Sequence, residues 1–205
     1  TDFTLASQPT LTGESQRLSV DGSFSLTGQE NLHLKIESID LEPLANLMDL
    51  GYPIAGRFSA TTEITGTASN PVMSGSMLLR NGEMQQFKFD SLSIQFGYAH
   101  DSLGWKGMLD PGLTGELLTD GYFPVHLSLT DSADLILPNS PMQLKLTARQ
   151  LPFAVVGGMT NDLQITGGVI DADITAGGTW NHPDMAGYQA VRQPLRMGSA
   201  HSAAG

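Results

Sequence analysis

The chain contains no cysteine. That absence excludes disulfides, thiolate metal sites and cysteine nucleophiles. Charged residues are scarce at 15%, and basic ones scarcer still: 10 Lys plus Arg against 21 Asp plus Glu, a formal net charge of −11. A nucleic-acid surface works by displacing counterions with a basic footprint. No basic cluster occurs here, so nucleic acid is disfavoured as a partner. Adsorption to an anionic membrane surface is disfavoured for the same reason. No apolar run reaches the roughly 18 residues a spanning helix needs. No secretory leader is visible, and the chain opens at Thr1 without methionine, which reads as a fragment or mature piece of something longer.

What is abundant is glycine, 23 of 205 residues, with Ser and Thr filling many non-apolar positions. That is the composition of short strands joined by tight turns. At 40% hydrophobic residues the chain has enough apolar surface to bury a core or line a groove. Period-two alternation dominates. Leu18, Val20, Gly22, Phe24 and Leu26 share one parity; so do Leu32, Leu34 and Ile36, with His33 and Lys35 opposite. Phe58 to Ile64, Leu103 to Gly107, Val125 to Leu129, Met142 to Leu146 and Ile170 to Ile174 follow the same rule. Met77 and Leu79 lead to Asn81-Gly82, a hairpin dipeptide. Phe87 and Phe89 are out of parity with Leu92, Ile94 and Phe96, which requires a turn or bulge near Asp90-Ser91. Asp110-Pro111-Gly112 and Pro138-Asn139 read as turns.

The chain also repeats itself. Leu32-x-Leu34-Lys35-Ile36, Leu41-x-Pro43, Ile54-x-Gly56, Gly66-Thr67 and Asn70-Pro71-x-x-x-Gly75 return as Met142-x-Leu144-Lys145-Leu146, Leu151-Pro152, Ile165-x-Gly167, Gly178-Thr179 and His182-Pro183-x-x-x-Gly187. The offset reads as 110 at Leu34/Leu144, 111 at Gly56/Gly167 and 112 at Gly66/Gly178, a drift that single-residue insertions explain. Internal repeats point to stacked units sharing one continuous core. The expected organisation is a single elongated unit over 1–188, with matching motifs in about 18–80 and 125–188. In each repeat the alternation pauses for a short helix. Asp40 caps Leu41 to Met48, and a weaker helix interrupted by Gly157-Gly158 falls between Leu151 and Met159. After Tyr188 the alternation vanishes, and residues 189–205 read as a frayed tail.

Chemistry-bearing constellations are thin. The five histidines are scattered without ligand spacing, so no metal site is expected. Asp171-Ala172-Asp173 lacks an EF-hand context. No Gly-x-Ser-x-Gly elbow occurs. Carboxylates fall at turns and outward positions, where solvation explains them. An enzyme is not expected, and no cofactor is implied.

Taken in order, Asp40-Leu41-Glu42-Pro43-Leu44, Gly66-Thr67-Ala68-Ser69-Asn70-Pro71, Gly75 and Leu79-Arg80-Asn81-Gly82 resemble the AsmA-like superfamily, most closely the C-terminal region of TamB-type translocation and assembly module subunits. The likeness runs from about Leu18 to Gly187. It implies an all-β, repeat-built, curved sheet trough (a β-taco or β-groove) with short helical inserts. It also implies a periplasm-spanning protein of a diderm bacterium, anchored in the inner membrane at full length. Such proteins are implicated in moving phospholipid between membranes and in outer-membrane protein assembly with a TamA-like outer-membrane barrel partner. Against that pattern, no N-terminal anchor and no barrel-binding end is recognisable within these residues, so docking to a barrel partner is not expected of this piece.

On this reading roughly a dozen strands stack into a trough on the order of 60 Å long. Phospholipid acyl chains lie against Val20, Phe24, Leu26, Leu34, Ile36, Phe58, Ile64, Met77, Leu79, Phe87, Phe89, Ile94, Phe96, Trp105, Leu127, Leu144 and Ile174. The rival readings are a closed β-solenoid of structural or adhesive type, and a polysaccharide-active β-helix. Space between facing layers separates the first from a groove. Two facing carboxylates in a cleft would mark the second.

Overall fold

The computed structural model describes residues 16–23, 28–43, 54–84, 87–112, 114–128, 135–153, 155 and 168–192. Ten strands follow one another: β1 (Arg17–Ser23), β2 (Gln29–Asp40), β3 (Ile54–Thr67), β4 (Asn70–Met84), β5 (Phe87–Ala99), β6 (Ser102–Asp110), β7 (Glu116–Pro124), β8 (Gln143–Pro152), β9 (Val169–Gly178) and β10 (Pro183–Arg192). They pair antiparallel in sequence order, a ten-stranded meander with β1 and β10 at its edges. The all-β expectation holds. The sheet is open and uncurled, so the trough of the expectation is here a broad, open face. Ten strands at about 4.8 Å make it about 43 Å across, shorter than the dozen strands anticipated.

Side chains alternate between the two faces of a pleated strand, and directly paired residues share a face. One face therefore collects the apolar parity of every strand. At one end of the sheet this face is buried. Leu79, Phe89, Leu109, Leu151, Val155 and Ile170 form a packed cluster there, joined by Leu41, Phe58 and Phe153. Leu41–Pro43 are helical, and so are Phe153 and Val155 at the matching place; the remainder of both expected helices lies outside the described residues.

The two repeats coincide in detail at a constant separation of 112 residues. Gly66 and Gly178 have φ of 87° and 82°, and Ser38 and Gln150 have φ of 51° and 46°. Each of the latter pair marks a β-bulge, where β2 slips against β3 between Ile36 and Ile39 and β8 slips against β9 between Ala148 and Leu151. The N–H freed by each bulge finds a side chain on the facing strand. Ser38 N donates to Ser59 Oγ at 3.1 Å, and Gln150 N donates to Asp171 Oδ1 at 3.0 Å. In both hairpins a threonine hydroxyl closes the turn: Asn70 N donates to Thr67 Oγ1 at 3.2 Å and His182 N to Thr179 Oγ1 at 3.1 Å. Leu34, opposite Thr62, therefore matches Leu146, opposite Ile174, and not Leu144. Gly56 likewise matches Gly168, both at positive φ, in place of Gly167. The drift in offset is a two-residue slip at Leu144, which keeps side chains on their face and so leaves alternation untouched, and a one-residue slip at Gly167.

Other expectations are corrected. Asn81-Gly82 is not a hairpin turn: β4 runs through it to Met84. Asn81, with φ of 49°, lies where its pairing with Asp90 drops out of the β4–β5 ladder. That break accommodates the parity slip between Phe89 and Leu92, and both side chains join the cluster. Val125 to Ser128 do not form a strand; Val125 makes one isolated bridge to Ile136, and residues 129–134, with Leu129, lie outside the described set. β7 took the strand role instead. β10 continues to Arg192, past the boundary set at Tyr188, and residues 193–205 lie outside the described set. The Asp110-Pro111-Gly112 turn is present, with Gly112 N donating to Asp110 Oδ1 at 2.9 Å.

The cluster depends on one bare glycine. A Cβ on Gly82 would stand 2.1 Å from the ring of Phe89. That ring is buried and stacks on Phe87 with centroids 5.7 Å apart. Gly82→Val should therefore expel the ring and cost about 2 kcal/mol. Gly82→Val combined with Phe89→Ala should lose clearly less than the sum of the single changes in urea denaturation, and strict additivity would reject this contact.

Candidate functional site: the apolar face

Four cross-strand rows define the face. The first runs Val20, Leu34, Thr62, Gly75, Phe96, Trp105, Gly121, Leu144, Ala176, Met185, one residue from each strand. The second runs Leu18, Ile36, Ala60, Met77, Ile94, Gly107, Thr119, Leu146, Ile174, Gly187. A third, Gly22, Leu32, Ile64, Met73, Tyr98, Leu103, Phe123, lies toward the β3–β4 turn. The fourth, Ile39, Phe58, Leu79, Leu92, Leu109, Leu117, Ala148, Ala172, enters the buried cluster. No charged side chain occurs in any of the four; beyond the third, Glu30, of the same parity and opposite Gly66, is buried.

The row between the first two, on the other face, is the reverse. It reads Ser19, Lys35, Thr61, Ser76, Gln95, Lys106, Asp120, Lys145, Thr175, Ala186. Further charges on that face are paired. Lys35 Nζ lies 2.7 Å from Glu37 Oε1, which holds the Glu37 carboxyl below its ordinary value. Arg149 grips Asp173 with two nitrogens, at 2.9 and 3.3 Å, and Thr147 Oγ1 donates to the same carboxylate at 3.0 Å. Asp171 accepts from the Gln150 backbone. The Asp171 and Asp173 carboxylates are thus engaged by the protein itself.

The large side chains of the first two rows are half-buried or exposed, Leu144 at 36% and Met185 at 72%. Such exposure is that of a sheet face with nothing stacked on it, and no second sheet occurs among the described residues. The two ends of the face are covered. One carries the cluster and its helical pieces. At the other, the chain leaving β7 crosses Tyr98: Leu127 N donates to Tyr98 Oη at 2.8 Å, and Tyr98 Oη donates to Asp101 Oδ1 at 3.3 Å. His126 Nδ1 sits 2.9 Å from the same carboxylate oxygen. Between these ends, polar groups on the two central rows are Thr62 and Thr119, and Thr119 Oγ1 accepts from Trp105 Nε1 at 3.3 Å. The middle of the face offers a ligand little but hydrocarbon contact.

The structure brings together Val20, Leu34, Phe96, Trp105 and Leu144 in the first row and Ile36, Met77, Ile94 and Ile174 in the second, with Ile64 in the third. Phe58, Leu79, Phe87 and Phe89 instead belong to the packed cluster. Leu127 lies off the strands and meets the face through its backbone. Phe24 and Leu26 lie outside the described residues. Leu146 was missed as a lining residue, and Leu117 as a residue packed against the cluster. Leu117 sits in β7, where Leu118 and Tyr122 place apolar groups on the opposite face and blur the alternation. Leu146 was hidden by the two-residue slip of β8.

Arg149 and Thr147 hold the Asp173 carboxyl below its ordinary 3.8. A carboxyl lowered on folding contributes stability that is full above that ordinary value and is lost as pH falls through the lower folded value. Asp173→Asn should therefore flatten the acid limb of the stability curve below about pH 4 and leave its neutral slope unchanged. Urea midpoints of the two proteins that fall in parallel on acidification would reject the assignment. Comparison of the chain with protein-family models, with curated proteins and with solved structures returns no match.

Proposed function

We propose that the central, uncharged rows of this face hold the acyl chains of phospholipids. In this reading the chain is a segment of an AsmA-like, TamB-type periplasmic protein of a diderm cell, anchored in the inner membrane at full length. It conducts lipid between the inner and outer membranes and supports outer-membrane protein assembly with a barrel partner. The observation that carries the reading is the contrast of adjacent rows: ten positions without a charge from Val20 to Met185, beside a polar row from Ser19 to Ala186. A folding requirement alone would bury such a row under a second layer.

Full burial of a methylene yields about 0.8 kcal/mol, and contact on one side yields about half of that. Ten methylenes on the face thus gain about 4 kcal/mol, spread over many equivalent contacts. A binding energy of that kind retains a chain without fixing it at one position. Lateral movement along the rows costs little, because Leu34, Phe96 and Leu144 present similar surfaces to the hydrocarbon. The role requires no catalytic group.

Ile94 and Gln95 are adjacent in β5 and face opposite sides. A photo-crosslinking residue in place of Ile94 should capture phospholipid in cells at least tenfold more than one in place of Gln95. Native mass spectrometry of the purified chain should show bound phospholipid, and a double change of Ile36 and Ile94 to Asp should remove it. Equal capture at the two positions, with no co-purified lipid, would overturn the reading.

A further inference from the structure

One carboxylate points to the apolar side of the sheet. Glu30 has the parity of Leu32, Leu34 and Ile36 in β2 and stands opposite Gly66 of β3, one step beyond the third row. Pro71 of β4 stands opposite Gly66 in turn. Glu30 is 2% exposed, and neither of its carboxylate oxygens has a hydrogen-bond partner. An ionised carboxylate taken out of water and left without a partner is strongly destabilising.

The fold itself does not ask for an acid at this corner. The residue 112 positions on is Met142. Its N–H donates to the Gly178 carbonyl at 2.9 Å, and Gly178 is the counterpart of Gly66. The preceding residues match as well: Gln29 faces Thr67, and Pro141 bridges to Thr179. The second repeat thus builds the same corner around an uncharged, half-buried side chain. A buried, unsatisfied acid that the other repeat does without calls for a reason outside folding.

A carboxylate accepts hydrogen bonds and carries negative charge, so the partner it lacks is a cation with N–H or O–H groups, or a metal ion. A hard metal ion takes about six or more oxygen ligands, and no group of three His, Asp or Glu side chains that could hold one occurs among the described residues. The positions around Glu30 on this face are Leu32, Ile64, Gly66 and Pro71, which offer hydrocarbon and backbone. An organic ammonium suits both features, a single positive charge with N–H donors carried on carbon. Folding has already removed water from the carboxylate, so an arriving ammonium meets an attraction that water screens little.

We propose that Glu30 binds the ammonium of an aminophospholipid whose acyl chains lie on the central rows. The inference rests on the reading of those rows as a lipid surface. The Glu30 side chain turns toward Leu32 to meet the headgroup. Leu34 and Ile36 lie about 14 and about 20 Å further along β2, so one lipid spans from the corner to the central rows. The phosphate between them stays in water, because no second layer stacks on the face among the described residues. Glu30 thereby sets which phospholipid the face prefers.

The test uses the full chain and two lipids with identical acyl chains, phosphatidylethanolamine and phosphatidylglycerol, offered in equal amounts in detergent and read by native mass spectrometry. The wild-type chain should carry the ethanolamine lipid in at least tenfold excess. Glu30→Met, which installs the side chain of the second repeat, should bind as much lipid in total with no preference between the two. Its thermal midpoint without lipid should be at or above that of the wild type. Equal loading of the two lipids on the wild type, a preference that survives Glu30→Met, or a lowered midpoint for that variant would overturn the inference and leave the lipid surface standing. Displacement of the ethanolamine lipid by free ethanolamine at matched concentration would also overturn it, since the site would then serve a small amine. Absence of both lipids from the wild type would reject the lipid surface, and this inference with it.

Discussion

The antiparallel pairing of ten strands in sequence order is the constraint from which the rest follows. The pleat sends successive side chains to opposite faces, and each paired residue hands its face on to the next strand. A single apolar parity, once chosen in β1, therefore propagates through every turn as far as β10. The hairpins must then be tight and faithful. The threonine-closed turns at Thr67–Asn70 and Thr179–His182 do this with the same hydroxyl-to-backbone bond. A one-residue error in any of them would turn the following strands over and place lysines among the leucines.

Where the parity is broken, the break is repaired locally. The bulges at Ser38 and Gln150 each take up an extra residue, and each exposes an N–H that a facing serine or aspartate accepts. Each bulge lies just before the chain leaves the sheet for a helical piece, so the added twist of a bulge aims the chain back over the apolar side. The buried cluster around Leu79, Phe89 and Leu151 is the result. At the opposite end, Tyr98 and Asp101 hold the chain that follows β7 across the sheet. The face is thus fastened at two margins, and among the described residues it is bare between them.

Strand identity and face were legible in the alternation, because one-sided burial writes itself as period two. Val20, Leu34, Ile36, Ile94, Phe96 and Ile174 were assigned to the shared face on that ground, and the pairing places them there. Three features were not legible. A two-residue slip leaves alternation untouched, so only the backbone conformations of Ser38 and Gln150 reveal the true repeat length. Asn81-Gly82 has the chemistry of a hairpin, but Gly82 is needed as a seat for the Phe89 ring, and the strand passes through. β7 was obscured because Leu118 and Tyr122 put apolar groups on the polar face as well. Separating lining residues from packed ones was also beyond the pattern. Leu79 and Leu34 look alike in sequence, and only the helical pieces decide which of them is covered.

Each strand in this sheet leans on the one before it and the one after it in sequence. Architectures of that type behave as one-dimensional chains of units, whose stability is approximately a sum of nearest-neighbour terms. No closure condition links the first strand to the last, so length is a free parameter of the design. The interval from β2 to β8 is one module of six strands, or about 29 Å of added sheet. Duplicating or deleting such a module changes reach without disturbing any surviving contact, which makes span the property that selection can adjust most cheaply.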